Sequence, residues 1–276
     1  MTRRISLAGK TSVITGAGSG IGRALAERLS AQGCPVAICD LNEDTLDETA
    51  SGLDGEVFKC TLDVSDRHAQ MAFAADVREW APTPLGMVIN NAGVSVSQLA
   101  AEAAPEDDEW VMNVNFWGVV NGTRAFLPIL IEQDSGSLVN LSSVFGLIGW
   151  PAQSMYCASK HAVRGYTEAL RHELRDTNVR VASVHPGGTK TNIIKNSRFH
   201  IDDLGNTDLA VFERDFDSIA PTSPARAAKV IQKGVERGKS RILIGPDALM
   251  YSTLSRAIPV RYYDLIKVFE PLIRRS

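Results

Sequence analysis

Hydrophobic residues in this chain gather in short clusters. Seven runs rich in Val, Ile and Leu fit strands: residues 12–16 (SVITG), 35–40 (PVAICD), 57–64 (VFKCTLDV), 86–93 (GMVINNAG), 137–143 (SLVNLSS), 179–187 (VRVASVHPG) and 241–245 (RILIG). Between them lie stretches of roughly 15 residues or more, long enough for the helical crossovers that parallel neighbours require. Residues 21–31 and 154–176 are the clearest of these helices. Strands that read as nearly continuous apolar runs belong to sheets buried on both faces. The pattern therefore predicts an α/β Rossmann fold, a doubly wound parallel sheet of seven strands. No repeat or Pro/Ser-rich linker divides residues 1–276, so a single domain is expected. Two regions break the alternation: the polar segment 189–223 and the tail 246–276.

Composition narrows the function. Of 276 residues 44% are apolar and 22% charged, and the net charge of −3 leaves no basic stripe for nucleic acid. The longest nearly apolar run, Val144 to Ala152, is interrupted by glycines and falls far short of the about 20 residues of a membrane helix. The opening MTRRISLAGK has no apolar stretch behind its arginines and does not read as a secretory signal. Cys34, Cys39, Cys60 and Cys157 form no CxxC pair and have no histidine at zinc spacing. A reduced, cytoplasmic enzyme without a metal is expected.

The first strand runs into Thr15-Gly16-Ala17-Gly18-Ser19-Gly20-Ile21-Gly22 and then a helix. Glycines there let the backbone approach a pyrophosphate, whose charge meets the unpaired N–H groups of the helix start. The spacing is TGxxxGxG rather than GxGxxG, and a ligand-free tight turn would use the same glycines. Asp40 closes the second strand, where a carboxylate accepts from both ribose hydroxyls and repels a 2′-phosphate. Neither Ser19 nor Leu41 supplies a cation for such a phosphate, so NAD is expected over NADP; the plainer role for Asp40 is to help cap the helix after Asn42.

Tyr156 and Lys160 stand four apart in a predicted helix and face the same way. An ammonium beside a phenol favours phenolate, giving a group that exchanges protons with an alcohol. YxxxK recurs at Tyr263 and Lys267. Only the first copy has a serine, Ser143, thirteen residues upstream at the carboxyl end of a strand; the second has Met250 there and reads as an ordinary helix pair.

TGAGSGIG, NNAG (Asn90 to Gly93), Ser143, YCASK and HPGGTKT, in this order and spacing, resemble the short-chain dehydrogenase/reductase family over about residues 9–195. The resemblance implies Tyr156 as general acid/base, Lys160 as its pKa-lowering partner and ribose ligand, and Ser143 as the group that orients the substrate oxygen. It implies Asn115 in a proton relay, and Ser142 as a structural neighbour. It also implies a cofactor site built from Gly16, Ser19, Gly20, Ile21, Gly22, Asp40, Asp63, Val64, Asn91, Ala92, Gly93, Tyr156, Lys160, Pro186, Gly187, Thr189 and Thr191. Plainer roles stand beside these: Asp63 as a cap with Ser65, NNAG as a turn, PGG as a strand-ending break. The expected reaction is NAD-dependent interconversion of a secondary alcohol and a ketone. The alternatives are an NADPH-dependent ketoreductase, or a non-catalytic dinucleotide sensor on the same fold. A homodimer or homotetramer is implied, through helices near 110–130 and 156–175.

Other features read more plainly. His185 is expected to be structural, Cys157 a packing residue, and Trp110, Phe116, Trp117 and Phe126 core or interface. Residues 191–222 are too long for an ordinary connection and suggest a substrate lid. Its Ile193, Ile194, Phe199, Leu204, Leu209 and Phe212, facing Leu147, Ile148 and Trp150, suggest an apolar enclosure with few charges, suited to a bulky apolar alcohol or ketone. The amphipathic, basic tail suggests docking on the protein, or contact with a membrane surface.

Overall fold

The computed structural model describes residues 4–273; Arg3, Arg274 and Arg275 lie outside them, as do the side chains of Phe269 and Leu272. The chain opens as β1 (Thr11–Thr15), α1 (Gly20–Ser30), β2 (Val36–Asp40), α2 (Glu43–Ser51), β3 (Val57–Thr61), α3 (Arg67–Trp80) and β4 (Leu85–Asn90). It continues through β5 (Val96–Ser97), α4 (Pro105–Met112), a π-helical turn (Asn113–Trp117), α5 (Gly118–Glu132), β6 (Ser137–Leu141), α6 (Ser154–Glu173) and β7 (Arg180–Pro186). The last third holds β8 (Arg198–Phe199), α7 (Leu209–Ile219), α8 (Pro224–Glu236), β9 (Arg241–Ile244), α9 (Pro246–Ala257) and α10 (Tyr262–Ile273).

Seven strands form one parallel sheet in the order β3-β2-β1-β4-β6-β7-β9, as the alternating pattern predicts. Successive residues of a strand point to opposite faces, and here both faces are covered. Ile14, Ile38 and Ile89 pack with Leu25 and Leu29 of α1 and Ile231 and Val235 of α8. Val13, Ala37 and Val88 pack on the other side with Phe73 of α3 and Phe126 and Leu130 of α5. That double burial is why the strands carry no polar alternation. The two edge strands are the exceptions: β9 pairs only with β7 and alternates part-exposed and buried residues, and β3 pairs only with β2, is part-exposed, and ends at Thr61 rather than Val64.

A second sheet was not foreseen. Val96 and Ser97 of β5 pair in parallel with Arg198 and Phe199 of β8, and two-residue strands are too short to leave a periodic signal. An ion pair and a hydrogen bond close the same junction: the Asp107 carboxylate meets Arg198 and the His200 ring, each at 2.7 Å, and the Arg198 guanidinium lies 4.1 Å from the Trp110 ring centroid. The segment 191–222 is thus pinned to α4.

The tail docks on the protein. Tyr262 Oη accepts a 2.7 Å hydrogen bond from Gly149 N, and the Tyr263 ring meets Trp150 edge-on at 5.6 Å. Lys267 reaches Asp203 at 3.8 Å, so α10 touches both the loop after β6 and the segment 191–222. Among the described residues no helix is long and apolar enough to cross a membrane, and no group of three metal-ligating side chains occurs. All four cysteines are free thiols. Phe126 is fully buried in the core, whereas Trp117 is half exposed.

His185, buried near the end of β7, is structural. Its Nδ1 lies 3.0 Å from the Ser143 carbonyl, which can only accept, so Nδ1 carries the proton and Nε2 accepts from Ser183 Oγ at 3.0 Å. Burial holds the imidazole down at about 4, well below its ordinary 6.5. A pKa lowered in the folded state contributes stability that is fully present above 6.5 and is lost as pH falls through 4. The difference corresponds to about 3 kcal/mol. Denaturant unfolding between pH 7 and pH 4 should show that loss in the wild type and a flatter profile in His185→Gln; equal slopes would exclude His185 as its source.

Candidate active site

A parallel sheet delivers the carboxyl ends of all its strands to one edge, and a crevice opens where the chain order reverses. Here that point lies between β1 and β4. The turn after β1 is shaped for close backbone approach. Gly16 adopts φ 66°, and a Cβ on it would sit 2.7 Å from Ala92 Cα; a Cβ on Gly22 would collide with the Gly16 carbonyl. Asn91 ties the two strand ends together, donating from Nδ2 to the Thr15 and Gly16 carbonyls at 2.8 and 3.1 Å. NNAG is therefore a brace across the crevice, and it leaves the end of β4 in extended chain rather than in a turn. Ser19 is the N-cap of α1 but its side chain makes no cap hydrogen bond, which leaves first-turn N–H groups for an anion.

Asp40 sits beside this turn. Its Oδ2 accepts from Gly18 N at 2.8 Å and its Oδ1 from Asn42 N at 3.1 Å, while Asn42 itself caps α2. A Cβ on Gly18 would lie 2.9 Å from this carboxylate. Sequence reasoning missed Arg23, which donates to the Gly18 carbonyl at 2.6 Å and pairs with Glu48 at 3.0 Å. The contact with Gly18 is local, but the partners that hold the guanidinium in place, Thr45 O at 3.1 Å and Glu48, come from α2 beyond β2, and no spacing marks them. Asp63 is not the helix cap considered for it: its Oδ1 accepts from Ser65 N and Oγ, both at 2.8 Å, in a local turn, while the N-cap of α3 is Asp66, whose carboxylate accepts from His68 N at 2.8 Å. Val64 O is held by Gln70 Nε2 at 3.0 Å, and the Val64 side chain packs on Gly118.

The chemistry-bearing side chains converge on a cavity of about 460 Å³. Ser143, Tyr156, Lys160, Ile21, Asn91, Gly93, Pro186, Gly187, Thr189 and Thr191 line it; Gly16, Ser19, Asp40, Asp63, Val64 and Ala92 lie outside it, along the strand ends. Thr191 reaches across to the phosphate turn, its methyl 3.1 Å from where a Gly20 Cβ would be. Ser142 donates to the Lys160 carbonyl at 2.8 Å and is structural, as expected.

Tyr156 and Lys160 sit on the buried stripe of α6. Burial raises the phenol to about 12, and its hydrogen bond with Ser143 pulls weakly the other way. Burial lowers the Lys160 ammonium to about 8. The expectation that Lys160 brings the phenol below its ordinary 10 is thus not met by the protein's own groups. Lys160 Nζ donates to the Leu141 carbonyl at 3.3 Å and lies 5.7 Å from the Tyr156 ring centroid, too offset to outweigh desolvation.

Asn115 stands behind this pair, fully buried in the π-helical turn. It exchanges hydrogen bonds with Val94, accepting at 2.8 Å and donating at 2.9 Å, and donates to Ser159 Oγ at 3.1 Å. Gly93 separates it from the lysine: a Cβ there would lie 3.0 Å from Asn115 Oδ1 and 3.1 Å from Lys160 Nζ. Such π turns break helical pairing and recur at functional sites.

A family model described as short chain dehydrogenase matches residues 10–201. The chain belongs to the short-chain dehydrogenase/reductase family. It is 42% identical over 267 residues to SadH of Mycobacterium tuberculosis, covering 95% of each chain. It is 38% identical to the 3-oxoacyl-(acyl-carrier-protein) reductase FabG of Thermotoga maritima, over 67% of this chain and 76% of that one. A family member from Burkholderia phymatum, solved in complex with NAD, superposes with a TM-score of 0.81 at 31% identity, covering 92% of this chain and 95% of that one. The protein is accordingly an oxidoreductase of a family that binds nicotinamide dinucleotides.

The remaining cavity wall departs from the expected enclosure. Ile193, Ile194, Phe212 and Trp150 line it, with Phe145, Phe216, Met250 and Tyr251 in addition. Leu147 and Ile148 are instead buried in the fold, Leu204 is half exposed, and Phe199 stacks behind Phe212 at 5.0 Å. Asp202, Asp203, Asp215 and Asp247 also line the space, so it carries more charge than expected, and that charge is acidic. Lys160 is the one basic side chain among the described lining residues.

Proposed function

We propose that the protein is an NAD-dependent oxidoreductase that interconverts a bulky, largely apolar secondary alcohol and its ketone, with Tyr156 as general acid/base. The observation that carries this reading is the convergence of Ser143, Tyr156 and Lys160 on one largely apolar cavity, with Asn115 and Gly93 packed behind the lysine. The glycine cradle at Gly16, Gly20 and Gly22, the uncapped Ser19 and the carboxylate of Asp40 fit a dinucleotide. When bound, that group supplies the hydride acceptor or donor.

Tyr156 holds the proton that the substrate oxygen gains or loses. Ser143 Oγ, already engaged with Phe145 N at 3.1 Å, orients that oxygen. Lys160 keeps a positive charge beside the phenol and would hold the nicotinamide ribose, and Asn115 fixes the turn that supports a proton relay through Lys160. Asp63, Val64, Asn91, Ala92 and Gly93 line the cofactor's path, and Pro186, Gly187, Thr189 and Thr191 meet its nicotinamide end. Residues 191–222 form the substrate lid, and α9 with α10 closes the wall behind Trp150. A homodimer or homotetramer, joined through α5 and α6, would cover the half-exposed Trp117 and Ile131.

A specific observation bears on the alternative NADPH reading: Arg23 lies next to the ribose position. Its guanidinium is paired with Glu48, and Asp40 stands as a like charge to a 2′-phosphate, so NAD is favoured. The expected result is a kcat/KM with NAD well above that with NADP, narrowed in Asp40→Ala; equal values in the wild type would overturn the preference.

Tyr156→Phe should cut kcat by about 10²-fold or more while NADH still binds, as loss of a general acid/base commonly does. Tyr263→Phe keeps its ring against Trp150 and should change kcat little. Steady-state kinetics beside NADH fluorescence titration separates this from a sensor, which would bind without turnover in the wild type.

Substrate preference follows from the wall. Across a series of secondary alcohols, kcat/KM should rise from four-carbon to ring-sized neutral members. It should fall by about tenfold or more when a carboxylate is added, since the aspartates repel it at ~1.4 kcal/mol per decade. A preference for short hydroxy acids would refute the enclosure.

A further inference from the structure

Asp247 belongs to none of the motifs above. It is in the first turn of α9, just after Pro246, and its carboxylate turns back over the ends of β7 and β9. Oδ2 accepts a 2.6 Å hydrogen bond from Gly188 N. Oδ1 is buried and, among the described residues, has no hydrogen-bond partner. Two glycines make room for the group: a Cβ on Gly187 or on Gly245 would collide with the carboxylate, and Gly245 adopts φ 97°. Removing a carboxylate from water for one N–H donor is costly, and the positive end of α9 offsets only part of the cost.

Apart from this carboxylate the segment is tied to its neighbours by main-chain hydrogen bonds, with Gly187 N donating to the Ile244 carbonyl at 2.9 Å on the β9 side. Gly187 and Gly188 have no side chains, and their freedom is large. On the opposite side the segment is tied at residue 222: Gly188 O accepts from Thr222 N at 3.2 Å, and Lys190 N donates to Thr222 O at 3.0 Å. Asp247 supplies the second side of the clamp. Between the two lies Thr189, buried, with its hydroxyl on the Gly187 carbonyl at 3.1 Å.

We propose that Asp247 is a positioning residue for the nicotinamide half of the cofactor site: by clamping Pro186 to Thr189 it presents that backbone to the nicotinamide, and it leaves the adenosine half untouched. The inference rests on the dinucleotide reading given above. The adenosine half is built from Gly16 to Gly22 and Asp40, on β1 and β2, across the sheet from β7 and β9.

ADP-ribose ends where the nicotinamide begins, so it separates the two halves. Dissociation constants for NADH and for ADP-ribose are measured by calorimetry on the wild type, Asp247→Ala and Asp247→Asn. Asp247→Ala should weaken NADH by about tenfold, the order expected for losing one charge-assisted hydrogen bond, and shift ADP-ribose by less than about twofold. Asp247→Asn keeps an oxygen for Gly188 N and should recover most of the NADH affinity. Gly187→Ala puts a methyl where the Asp247 carboxylate sits, displacing it from Gly188 N, and should reproduce the NADH-selective loss, which keeps the test available if Asp247→Ala does not fold. Equal losses for both ligands, or no loss for NADH, would overturn the proposal. A wild type that binds neither ligand would overturn the dinucleotide reading itself.

Discussion

Parallel pairing is the constraint from which the site follows. Each strand of the main sheet must leave at the same edge, so the residues just beyond the strand ends become neighbours whatever their distance in sequence. Gly16 follows β1, Asp40 ends β2, Asp63 follows β3, Asn91 follows β4, Ser143 follows β6, Gly187 follows β7 and Asp247 follows β9. The reversal of strand order between β1 and β4 leaves those two ends without a crossover helix above them. Asn91 then spans the gap with side-chain hydrogen bonds to Thr15 and Gly16, so the crevice is braced before any ligand enters.

Burial decides the electrostatics within that frame. Tyr156 and Lys160 are both removed from water, and desolvation moves the two groups in opposite directions: the phenol up to about 12, the ammonium down to about 8. Each shift favours the neutral form, as low dielectric requires. Charge brought to the cavity therefore acts on groups that solvent screens poorly. Gly93 matters because it lets Asn115 and Lys160 approach without an intervening side chain, and the π-helical turn allows Asn115 to be wholly buried with its amide satisfied.

Much of the fold was legible in the sequence because it is encoded locally. Apolar runs of strand length, separated by stretches long enough for helices, leave few architectures other than a doubly wound sheet. The two YxxxK pairs were separable because Ser143 stands thirteen residues before one of them, at a strand end. His185 was legible as structural from its place at the end of an apolar strand. The β5–β8 pairing, Arg23 and the Asp107 junction were not legible. Arg198 and His200 lie 91 and 93 residues from Asp107, and nothing local marks such a pair.

The sequence by itself determined the strand and helix order, the glycine turn and the set of groups able to bind and react, because each depends on near neighbours along the chain. Only the tertiary structure decided which of those groups are desolvated, which face the cavity and which are held by distant partners. Leu147 and Ile148 show the difference: as apolar residues beside Trp150 they fit the cavity wall equally well, yet packing buried them in the fold and brought four aspartates to the wall instead. Burial and charge in a cavity are properties of what meets in space, and sequence distance carries no record of them.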